Sequence, residues 1–74
     1  MVSVRVIWES SGKPASGQRV CVGFDGIFRG MTKEVFTDSS GDVNFDNDPG
    51  TGEVYVNGSK KYTGNISGRT VVYI

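Results

Sequence analysis

The sequence has no histidine and a single cysteine, Cys21. Zinc sites with imidazole ligands are thereby excluded, and sites built from four cysteines fail on count. One cysteine cannot close a disulfide within the chain, so no covalent staple is available. A Ser, Thr or Cys nucleophile has no histidine base to activate it. Charge of one sign is also lacking: Lys and Arg total 8, Asp and Glu total 8, and the net charge is zero. Summed charge therefore offers nothing to draw in nucleic acid or an anionic membrane. Long apolar runs are missing too. Residues 1–10 carry Arg5 and Glu9 and alternate in polarity, unlike a signal peptide or a membrane-spanning helix. No window sustains a helical period, and no internal repeat is present.

What the chain does have is glycine, 11 residues in 74, set between short stretches that alternate in polarity. Its length allows one domain, residues 1–74, near the lower limit for folding alone. Val2, Val4, Val6 and Trp8 alternate with Ser3, Arg5, Ile7 and Glu9, which predicts a strand from Val2 to Glu9. Ser10–Gly17 is made of strand breakers. Gln18–Phe24 predicts a second strand with Val20, Val22 and Phe24 on its core face and Cys21 on the other. Asp25-Gly26 marks a turn. Gly30 divides the next stretch into an edge piece, Ile27–Arg29, and a strand near Lys33–Thr37. Val43 and Phe45 alternate with Asp42 and Asn44 after the Asp38-Ser39-Ser40-Gly41 turn. Asp46–Gly52 reads as a tight loop and Glu53–Val56 as a strand. Asn57-Gly58 is the signal for a type I′ hairpin. Ser59–Ser67 is polar, with Tyr62 and Ile66 as its large apolar groups, and shows no clear strand. The last strand runs from about Arg69 to Ile74. The count is six to seven strands, the pattern of a small sandwich or barrel, with Trp8, Val22 and Phe45 predicted inside it.

The order of these pieces resembles that of a known group. Gly12-Lys13-Pro14 leads into Val20-Cys21-Val22. Thr37-Asp38-Ser39-Ser40-Gly41 leads into the strand with Val43 and Phe45. Pro49-Gly50 precedes Glu53-Val54-Tyr55-Val56. Residues 2–58 thus resemble the transthyretin-like (prealbumin-like) β-sandwich domains. That group includes the regulatory-like domains appended to carboxypeptidases and repeats of bacterial surface adhesins. The resemblance implies an all-β fold, a small Greek-key β-sandwich, and no particular activity. The family's enzymes, the hydroxyisourate hydrolases, use histidines and a C-terminal Tyr-Arg-Gly-Ser. Here the corresponding end reads Val71-Val72-Tyr73-Ile74, so no catalytic residue carries over.

Candidate binding residues are few. Tyr55 falls opposite Val54 and Val56, and Tyr73 opposite Val72 and Ile74. With Tyr62 they are expected on outer faces, where tyrosine suits a protein interface or sugar stacking. Asp46 and Asp48 belong to an acidic stretch, Asp38 to Glu53, that contains no Lys or Arg. Asp46-Asn47-Asp48 resembles the start of a calcium loop, but Thr51 stands where that loop needs glycine, and turn formation explains the acids as well. Lys60, Lys61 and Arg69 follow with no acid after them. Cys21 is either a small strand residue or an outward thiol that cross-links a dimer. Asn57-Gly58-Ser59 and Asn65-Ile66-Ser67 match the glycosylation acceptor pattern, relevant only to a secreted eukaryotic protein.

The expected function is a non-catalytic binding or assembly module that needs no cofactor or metal and self-associates or meets another protein. Thr70–Ile74, apolar on both faces, favours this. The alternative is a carbohydrate-binding module using the outer tyrosines and the Asp/Asn loop; a regulatory subunit of a larger enzyme is a third reading. If the chain is full length, the expected compartment is the cytosol.

Overall fold

A computed structural model describes residues 1–26 and 29–74. The strand piece expected at Ile27–Arg29 lies largely outside the described residues. Among the described residues there are seven strands and no helix. They are β1 (Val2–Ile7), β2 (Arg19–Phe24), β3 (Val35–Phe36), β4 (Asp42–Phe45), β5 (Gly50–Val56), β6 (Ser59–Ile66) and β7 (Arg69–Tyr73). They form a three-stranded sheet, β4-β1-β7, and a four-stranded sheet, β3-β2-β5-β6. The architecture is all-β and sandwich-like.

Period-two alternation sets which side chains meet between the sheets. Val2, Val4 and Val6 of β1 are fully buried, while Ser3, Arg5 and Ile7 point the other way. Val20 and Val22 of β2, Val54 and Val56 of β5, and Ile66 of β6 join them, with Phe24, Val43, Phe45 and Val72 nearly as deep. Valine dominates because a β-branched side chain loses little freedom in an extended backbone and fills a pleated surface. Each such burial contributes roughly 1.5–3 kcal/mol before the ordering cost is counted.

Trp8 departs from the expectation. β1 ends at Ile7, and Trp8 starts a turn: its carbonyl accepts the N–H of Gly12 at 2.7 Å, and its own N–H donates to the Lys13 carbonyl at 2.9 Å. The residue has the right phase for the core but stands past the last core layer, 41% exposed. Val22 and Phe45 are buried as expected.

β6 is the second correction. Ser59–Ile66 is an eight-residue strand, antiparallel to β5 along its length. It buries Ile66 and packs Tyr62 against the core, and the rest is exposed or half-buried, so alternation had little to act on. The turn that launches β6 is as expected. Asn57 and Gly58 both take positive φ, 52° and 84°. The Asn57 side chain accepts the Arg19 N–H at 3.1 Å and donates to the Gln18 amide oxygen at 2.9 Å, tying the hairpin tip to β2.

The Thr37–Gly41 turn docks on β1. Asp38 Oδ1 accepts the N–H groups of Ser40 and Asp42 at 2.8 and 3.0 Å. Gly41 has φ 77°, its carbonyl accepts the Val6 N–H, and a Cβ there would lie 2.5 Å from the Val6 oxygen. Only glycine meets both demands.

Cys21 does not face solvent. β2 is buried on both faces from Val20 to Phe24. The segment after Arg29 runs along its edge: Gly23 bridges to Met31, the Thr32 N–H donates to the Val22 carbonyl, Thr32 Oγ1 accepts the Val22 N–H at 2.9 Å, and the Met31 side chain lies over Gly23. Cys21 is 8% exposed, with Tyr55 of β5 as its neighbour across the sheet, so the outward-thiol reading is overturned. β3 is shorter than the expected strand, two residues paired with Arg19 and Val20.

Candidate functional site

The outer face of the three-stranded sheet is built from the residues left over when the valines turn inward. Its rows follow the strand register. Asn44, Ser3 and Arg69 stand side by side; so do Asp42, Arg5 and Val71; and Ile7 stands beside Tyr73. The first row is polar, with Ser3 Oγ donating to Asn44 Oδ1 at 2.7 Å. The second row is ionic on one side and apolar on the other. Arg5 Nε and Nη2 each donate to one Asp42 carboxylate oxygen at 2.8 Å. That two-pronged hydrogen bond holds the Asp42 carboxyl below its ordinary pKa and raises the Arg5 guanidinium. The third row is apolar. Val71 is 42% and Tyr73 57% exposed, and Ile7 is half-buried beside them. Val71, Tyr73 and Ile7 thus form an apolar strip that ends at β7, the edge of the sheet.

Among the described residues β7 is paired on one side only. β1 lies parallel to it. Ser3 N–H donates to the Gly68 carbonyl, Ile74 N–H to the Ile7 carbonyl, and Glu9 N–H to the Ile74 carbonyl. Gly68 and Ile74 therefore turn their backbone groups toward β1. Alternation assigns Thr70 and Val72 the same direction. Arg69, Val71 and Tyr73 turn both N–H and C=O toward the open side.

The other candidate residues lie elsewhere. Tyr55 is half-buried on the outer face of the four-stranded sheet, opposite Cys21. Tyr62 is not on an outer face: it packs against the core, and its hydroxyl donates to the Asn65 carbonyl at 2.8 Å. A register shift in β5 between Val54 and Tyr55 puts Tyr62 opposite Val54. The three tyrosines thus occupy three separate places and make no common stacking surface. Asp46 and Asp48 are exposed in the β4–β5 loop.

Arg29 governs that loop, and nothing in the sequence spacing pointed to it. Its guanidinium lies 4.2 Å from the Phe24 ring centroid and donates to the Pro49 carbonyl at 3.0 Å and to the Asp48 carbonyl. A cation already sits against this acidic loop, and it takes two carbonyls that a calcium ion would want. Among the described residues no three Cys, Asp or Glu side chains stand close enough to hold a metal ion, and no pocket opens at the surface. Cys21 is not poised as a nucleophile: burial pushes its thiol pKa up, Glu34 pushes the same way, and Arg19 opposes them. No family model matches the chain, and neither a curated protein nor a solved structure matches it.

Proposed function

We propose that this chain is a non-catalytic assembly module that acts through protein–protein contact, self-association included, with the outer face of its three-stranded sheet as the contact surface. The observation that carries this is the strip of Ile7, Val71 and Tyr73 at an edge strand, apolar where the rest of the same face is polar or ion-paired. Apolar area of this kind at an edge gains by being covered. The non-catalytic part rests on the one cysteine being buried with a raised thiol pKa, in a chain without histidine.

The same reading takes the fold as a transthyretin-like Greek-key sandwich. Support comes from the interleaving of the two sheets. The chain changes sheet between β1 and β2, β3 and β4, β4 and β5, and β6 and β7, and the first and last strands are parallel neighbours.

Sedimentation equilibrium on the full chain tests the function. A mass that rises with concentration, and falls back in Tyr73→Ser, is the expected result. A single-chain mass across the micromolar to millimolar range would overturn it.

A further inference from the structure

We propose that the open edge of β7 pairs with the same edge of a second copy, antiparallel and centred on Val71, to join two three-stranded sheets into one. The proposal rests on the self-association reading and adds the mode and register.

The four sheet edges are not alike. β3 is two residues long. β4 is four residues long, with Asp42 and Asn44 directed outward. β6 carries Lys60 and Lys61, and a bulge disturbs its pairing with β5. Shortness, lysine and bulges are the devices that keep an edge from pairing with another chain. β7 carries neither lysine nor bulge, is longer than β3 and β4, and has Arg69 as its one charge. Its five residues are free of lysine and proline, with Val71 and Tyr73 exposed.

Its occupant follows from self-complementarity. The residues with both backbone groups on the open side are Arg69, Val71 and Tyr73. In an antiparallel pair, such residues must face each other as hydrogen-bonded partners. Only the register with Val71 opposite Val71 of the second copy pairs every one of them, setting Arg69 opposite Tyr73 at both ends. A slide of two residues leaves groups unpaired. Directly opposed side chains stand about 4.5–5.5 Å apart at Cβ, which brings the Arg69 guanidinium within reach of the second copy's Tyr73 ring. Valine meets valine at the two-fold axis, and Arg5–Asp42 ion pairs flank it symmetrically. The chain carries no net charge, so two copies do not repel.

Proline gives a clean test, because the Val71 N–H points away from β1 and its loss breaks no bond within the chain. The full chain, Val71→Pro and Val71→Thr are compared by sedimentation equilibrium, with circular dichroism to report the fold. The wild type is expected to dimerise. Val71→Thr, which keeps the backbone donors, still dimerises, whereas Val71→Pro weakens dimerisation by roughly tenfold or more through the lost donors at the axis. A Val71→Pro chain that dimerises as well as the wild type overturns edge pairing and leaves self-association standing. A monomeric wild type overturns both. Should Val71→Pro fail to fold, amide exchange of the wild type decides. Protection of Arg69, Val71 and Tyr73 that grows with concentration supports the pairing, and concentration-independent exchange of those amides overturns it.

Discussion

β6 and β7 are consecutive strands at the same rim of the molecule, one in each sheet, and they are built on opposite plans. β6 is long and polar and holds the core through Ile66 and the ring of Tyr62. β7 is short, buries Thr70 and Val72, and shows Val71 and Tyr73 to solvent. The longer edge is guarded by Lys60 and Lys61; the shorter is open. The difference shows that an edge strand's polarity records whether it is to be left alone or met, which is separate from whether it is a strand.

The comparison breaks first at Ile66. If that fully buried side chain anchors β6, Ile66→Ala should cost about 2–5 kcal/mol in urea unfolding, while Lys60→Ala stays within about 0.5 kcal/mol. An Ile66→Ala loss as small as that of Lys60→Ala would mean that β6 is held by something else. The turn that starts β6 is the next lever. Gly58 sits at φ 84°, so Gly58→Ala should destabilise by roughly 1–2 kcal/mol, measured by the same unfolding curve. An unchanged curve would remove the strain account.

A sharper form of the comparison makes β6 resemble β7. In the double substitution Lys60→Thr, Lys61→Val the lysine guard is gone. Association of the variant should exceed that of the wild type in light scattering, with monomer stability changed by no more than about 0.5 kcal/mol. Equal association would show that the lysines do not guard the edge.

The smallest effect concerns the ion pair beside β7. Arg5 hydrogen bonding holds the folded Asp42 carboxyl below its unfolded pKa of about 4, so its contribution is complete above that value and is lost as pH falls through the lowered folded pKa. The melting temperature of the wild type should therefore fall more steeply than that of Asp42→Asn as pH drops from about 5 to 2. Parallel curves would show that the pair contributes nothing, as many exposed pairs do.

Much of the fold was legible because β1, β4 and β5 bury one face cleanly, and alternation reports burial directly. β6 was not legible because a rim strand buries few of its residues; the Asn57-Gly58 turn before it was the signal to follow. Trp8 misled because phase tells which way a side chain points and not where the strand ends. Cys21 misled because phase gives the face of a side chain and not the neighbours that shield it, here Tyr55 on one strand and, along the other edge of β2, a segment with no strand pattern of its own. Of the contact surface, the apolar character of Thr70–Ile74 was readable, and Ile7 stood out as the apolar exception on the polar face of β1. Their meeting as neighbours depends on the parallel β1–β7 pairing, which no local pattern encodes.

The open β7 edge is tested most directly by isotope-filtered NMR on a mixture of labelled and unlabelled full-length chains. Edge pairing predicts cross-peaks between copies that join Arg69 of one to Tyr73 of the other and place Val71 against Val71. Contacts between copies through Met31 and Phe36 on the other sheet, or none at all, would contradict it.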